Sequence, residues 1–172
     1  MTHPEAPKPS LAPGGDVSEM STSYPATHDA AALRDAAAIA ERVSADEHAA
    51  DAERARLVDG DLPDLGSEVH DAFQLTDGEL VHAIRHAAIL DEGDAATPRG
   101  GDLYLTSHRM VHVGKSSRDI SLDAIQESAV SLERLLLLDL TDGSDLAIEV
   151  DHPRLLRVQL AAARANARRR VP

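Results

Sequence analysis

The chain has no cysteine and no tryptophan, and its only aromatics are two Tyr and one Phe. Without thiols there are no disulfides and no thiolate chemistry, so the fold must rest on packing alone. With so few rings, the core is expected to be built from Leu, Ile, Val and Ala. No run approaches the roughly 18 apolar residues of a membrane span. The opening "MTHPEAPKPSLAPGGD" lacks the apolar stretch of a secretory signal, so a cytoplasmic protein is expected. Also missing are a Gly-rich phosphate loop, a Ser in a nucleophile elbow and a recognisable acid–base carboxylate pair. The sequence therefore predicts no enzyme and no cofactor.

Acid is abundant. The formal charge of the 172 residues is −13, which argues against a nucleic-acid partner, because phosphate backbones need clustered cations. Residues 1–76 hold 5 Lys/Arg against 15 Asp/Glu, whereas residues 77–172 hold 12 against 15. From His152 onward there are 6 Arg and no acid. An acidic half, a nearly balanced middle and a basic end follow one another.

Residues 1–29 are rich in Pro and Gly and poor in large apolar side chains. Such a segment cannot offset its ordering entropy and is expected to be disordered. Residues 30–58 contain no Gly or Pro and much Ala, Glu and Arg, which predicts a helix with a thin apolar stripe at Leu33, Ala36, Ala40 and Val43. Residues 59–76 read as a linker and a short helix, with Leu65, Val69 and Phe73 on one face. Phe73 is expected to plug one end of the domain that follows.

From Asp77 the pattern is one of short runs and turns: 79–90, 102–106, 109–114, 119–122, 125–133, 134–141 and 145–150. That is an antiparallel meander of seven strands. The segment "LLDLTDGSDLAIEV" allows two hairpin loops. A three-residue loop, Thr141 to Gly143, places Leu146, Ile148 and Val150 on the face of Leu136 and Leu138, with Gly143 in a left-handed conformation. It leaves Leu135 and Leu137 on the outer face, where the first helix, the Phe73 segment or another subunit should cover them. Pro153 then suits the first turn of a closing helix, whose stripe is Leu156, Leu160, Ala163 and Ala167.

The order of these elements, and three segments within them, carry a resemblance. "GDLYLTSHRMVHVG" (101–114), "ISLDAI" (120–125) and "LTDGELVHAI" (75–84) resemble the strand signatures of GRAM-like and bacterial pleckstrin-homology-like (PH-like) domains. The resemblance covers about residues 75–170 and implies a seven-stranded antiparallel barrel capped by a C-terminal helix, mainly β with helices. His112 stands where that family usually has a large apolar residue. The residue pattern alone also admits another small barrel or a helix-capped sandwich.

A PH-like domain implies a binding role, here for a protein partner, and self-assembly is raised by the ring-forming members of the bacterial branch. Leu135 and Leu137 are the candidate interaction surface. The alternative is contact with anionic lipid through Arg85, Arg99, Lys115 and Arg118, aided by the Arg-rich end. Against it, Asp91, Glu92 and Asp94 crowd the first strand loop and would repel phosphate. Nine histidines invite a metal reading, but His82/His86 and His108/His112, on strands, would each lie about 13 Å apart. No metal is expected.

Overall fold

The computed structural model describes residues 26–66, 73–90, 99–115 and 117–170. The Pro-rich segment up to residue 25, the middle of the expected short helix, 67–72, and the acidic loop with Asp91, Glu92 and Asp94 lie outside them.

Helix α1 spans Ala26–Asp59, so the helix begins four residues before the expected start at Ala30. Its Ala, Glu and Arg content favours helix without tertiary help. That matters here, because residues 30–38 are exposed throughout and Leu33 keeps 71% of its surface. Only the second half docks, through Asp46, Ala50 and Leu57.

Seven strands follow: β1 Val81–Leu90, β2 Arg99–Thr106, β3 Arg109–Gly114, β4 Arg118–Ser121, β5 Ile125–Ser131, β6 Leu135–Leu140 and β7 Asp145–Val150. They form one antiparallel sheet in the order β4-β3-β2-β1-β7-β6-β5. Helix α2, Pro153–Arg170, closes the chain. The meander and its helix are thus as the sequence indicates, but the sheet does not close into the expected barrel. β4 pairs only with β3, and β5 only with β6.

The chain leaves β4 through a 3-10 turn, Leu122–Ala124, anchored by the Leu122 N–H on the His108 carbonyl at 3.0 Å. α2 lies near that opening, its Arg164 donating to the carbonyls of Ile125 and Gln126 at the start of β5. The inner face of the sheet, the 3-10 turn and the apolar stripe of α2 share one core, which includes Leu103, Leu105, Met110, Leu122, Leu136, Leu138, Ile148, Leu156 and Leu160. Each such side chain contributes about 1.5–3 kcal/mol by leaving water.

The β6–β7 hairpin adopts the three-residue loop. The Gly143 N–H donates to the Leu140 carbonyl, the Leu140 N–H to the Ser144 carbonyl, and Gly143 has φ +81°. Leu136 pairs with Ile148 and Leu138 with Leu146, all four buried.

His112, at the position where PH-like domains usually carry a large apolar residue, is enclosed, with 1% of its surface exposed. Glycines make its room. A Cβ on Gly101 would stand 2.2 Å from the Val113 carbonyl oxygen and 2.9 Å from His112 Nε2, and one on Gly114 would stand 2.8 Å from the Gly100 oxygen. Gly101→Ala should therefore overpack this corner and cost about 2 kcal/mol, read as a lower urea midpoint with an unchanged slope.

Candidate interaction surface

The turn "TSHR" connects β2 to β3, and all four of its residues are tied to the chain around it. Ser107 Oγ accepts from the Leu80 N–H at 3.1 Å, while the Ser107 N–H donates to the Leu80 carbonyl at 2.8 Å. His108 Nδ1 and Thr76 Oγ1 lie 3.1 Å apart. The Thr106 hydroxyl donates to Glu79 at 2.6 Å and accepts from the N–H groups of His108 and Arg109.

Arg109 reaches the same carboxylate through Nε at 2.9 Å and Nη2 at 3.1 Å. It also donates to Asp119 at 2.5 Å and to the Gln74 carbonyl at 2.8 Å. The Glu79 side chain is fully buried. Burial pushes its carboxyl up, but the bonds from Arg109, Thr106 and Thr76 outweigh that and hold it at about 2. "LTDGEL" and "LTSHR", distant in sequence, are two halves of one lock.

That lock fixes Phe73. Its ring meets Tyr104 edge-on at 4.9 Å, and Arg109 lies 5.7 Å from the ring centroid. Phe73, Leu75, Ile84 and Val113 surround Val81, Tyr104 and Val111 in a second cluster on the outer face of β1–β3. Phe73 therefore covers a sheet face and does not plug the end of the domain.

Two of the cations proposed for an anion site, Arg85 and Arg118, stand far apart. Arg85, Leu103, His112 and Arg118 occupy one cross-strand line over β1–β4. Three strand spacings separate the two arginines, roughly 14 Å. Arg85 is half-buried on the inner face and donates to the Ile84 carbonyl and to Gln159 Oε1. Gln159 in turn donates to Glu53 of α1. Burial lowers the Arg85 pKa, partly offset by the charges of Glu53 and Asp46, so Arg85 serves the helix layer.

Arg118 is half-buried near the β6–β7 turn. There the Ser144 hydroxyl and N–H, with a smaller contribution from Arg118, hold Asp142 below the usual carboxylate range. Lys115 is exposed in the β3–β4 turn, and Arg99 begins β2 opposite Ile89. Among the described residues no three His, Cys, Asp or Glu side chains gather as metal ligands. His86 sits 3.5 Å from Asp102, and buried His82 is held by the Pro63 carbonyl at 2.8 Å.

Leu135 and Leu137 lie on the outer face of β5–β7, as the hairpin register requires, and both are half-buried. Among the described residues, neither expected cover from this chain packs on them. α1 packs on α2, and the Phe73 segment packs on β1–β3. Leu137 sits in a row with Ala129, Ala147 and Leu90. Leu90, Leu137 and Ala147, with Asp139 and Asp145, line a depression of about 220 Å³.

The β5–β6 turn beside this face gave no sequence signal. Leu132 and Glu133 take φ +44° and +61° without a Gly, and Leu132 is 78% exposed. No side chain but Gly favours that region, so the turn carries strain while presenting a leucine to solvent.

No protein family matches the chain, and no curated protein matches it. Among solved structures, the C-terminal domain of an unknown protein from Leishmania infantum is similar at 16% identity, covering 50% of this chain and 81% of that one, with a TM-score of 0.38. That likeness is too loose to carry an argument.

Proposed function

We propose that this chain is a PH-like interaction module, without enzymatic activity, that binds a protein surface through the outer face of β5–β7. One observation carries the reading: Leu135 and Leu137 stand on a sheet face that, among the described residues, neither helix nor the Phe73 segment packs against. Apolar rows on a sheet are normally packed or interrupted by charge, and this one is flanked by the exposed Leu132. The order of seven strands and a closing helix supports the PH-like assignment, with the cytoplasm as its setting.

Leu137→Asp tests the reading. A carboxylate on that face costs the fold little, because position 137 is half-exposed, so the melting temperature should stay within a few degrees. Association of the full chain, followed by light scattering, should fall at least tenfold. An unchanged association would contradict the proposal. The lipid alternative has less support, since Arg85 is committed to Gln159 and Arg118 lies three strands away from it.

A further inference from the structure

The outer face of β5–β7 is charged in a way its own fold does not balance. Glu127 pairs across the sheet with Asp139, and Asp139 with Asp145. Three carboxylates therefore stand side by side over three strands, all exposed. Like charges directly opposite one another destabilise a sheet, and among the described residues none of the three meets a cation. The next row on the same face is the apolar one, Ala129, Leu137, Ala147 and Leu90. Asp139 and Asp145 share the 220 Å³ depression with Leu90 and Leu137. An apolar floor with carboxylates on its wall fits a side chain with an aliphatic stem and a cationic head.

The chain carries such side chains at the end of α2. Arg168 and Arg169 are exposed there, after a stretch with no Asp or Glu from His152 onward. They cannot serve their own acidic row. α2 buries its stripe against the inner face of the sheet, and Arg169 borders a cleft with Asp61, Leu62 and His82. The acidic row looks out from the opposite face.

We infer that the occupant of this face is a second copy of the chain, seated through the C-terminal end of its α2. Arg168 and Arg169 of one molecule pair with Glu127, Asp139 and Asp145 of the next, and arginine stems cover Leu137 and Leu90. Arginine suits this task because its planar fork bonds carboxylates in pairs. The two surfaces are different patches, so the contact is head-to-tail and leaves each complex with one free face and one free end. This deepens the proposed function and rests on it.

Two neutralised variants of the full chain test the inference: Glu127→Gln/Asp139→Asn/Asp145→Asn, and Arg168→Gln/Arg169→Gln. All five positions are exposed, so both variants should fold. Wild-type protein at low salt should show an average mass that rises with concentration and falls back near 18.3 kDa in high salt. Each variant alone should stay near 18.3 kDa, and their equimolar mixture should reach about twice that mass and stop. A mixture that stays monomeric, or variants that assemble like wild type, would overturn the head-to-tail contact while leaving the interaction face standing. Wild-type protein that stays monomeric at every concentration would remove both.

Discussion

Glu79→Ala is expected to lower stability by about 3–5 kcal/mol, the usual cost of breaking a buried ion pair from one side. The substitution leaves Arg109 without its main anion and removes the acceptor that Thr76 and Thr106 share. Phe73 then loses the arginine over its ring, and the outer cluster around Tyr104 should loosen with it. Urea unfolding at pH 7 measures the loss.

The same residue sets an acid limit. Its carboxyl sits at about 2 in the folded chain against an ordinary 4.5. A depressed carboxyl contributes stability that is complete above the unfolded value, here about pH 4.5, and is lost as pH falls towards 2. The shift corresponds to roughly 3 kcal/mol. Wild type should therefore lose stability steeply between pH 4.5 and 2, and Glu79→Gln should show a shallower slope over that window. Parallel slopes for the two proteins would contradict this account of Glu79.

Asp46→Ala is the second substitution with a large expected effect. α2 starts at Pro153, which has no N–H, and the next two donors, on Arg154 and Leu155, point at the carboxylate of Asp46 at 2.9 and 3.1 Å. The cap is normally a Ser, Thr, Asp or Asn just before the helix. Here that position is His152, held at φ +58°, and the cap arrives from α1. Asp46 is 3% exposed, so removing it strands two part-buried donors and leaves the Arg154 guanidinium with Glu47 alone.

Two bonds to a charged acceptor are worth roughly 3 kcal/mol or more together. Loss of the cap should also release α1, because Asp46 is its most buried polar tie to α2, beside Ala50, Glu53 and Leu57. Hydrogen exchange would show faster exchange along residues 45–58 while the sheet stays protected. If α1 kept its protection, docking would not depend on the cap.

How much of this was legible depends on how local each signal is. The β6–β7 loop could be read because Asp142-Gly143 specifies a turn and a one-residue slip would have turned Leu146, Ile148 and Val150 outward. The closing helix could be read because Pro153 and its apolar spacing lie in one stretch. The Glu79–Arg109 lock spans thirty residues of sequence. Its two halves were visible as motifs, but nothing local said that they meet.

The Asp46 cap spans more than a hundred residues, and Asp46 itself looks like any acid on a solvated helix. The burial of His112 was not legible because the space it fills is left by glycines, Gly101 on the neighbouring strand among them. The break between the fifth and sixth strands was placed within two residues, but the left-handed pair Leu132–Glu133 that makes it went unseen, because the chain there uses no turn residue. The place of Arg85 was hidden for a different reason: strand direction sends it under α2, and composition cannot show that.

The central claim is that the outer face of β5–β7 meets another protein molecule, and the absence of cysteine makes it directly measurable. A single thiol placed by Leu137→Cys would be the only one in the chain. Its maleimide labelling rate should fall as the concentration of the full chain rises, whereas a thiol placed by Ala161→Cys, on the exposed side of α2, should label at a constant rate. Equal, concentration-independent labelling at both positions would contradict the account.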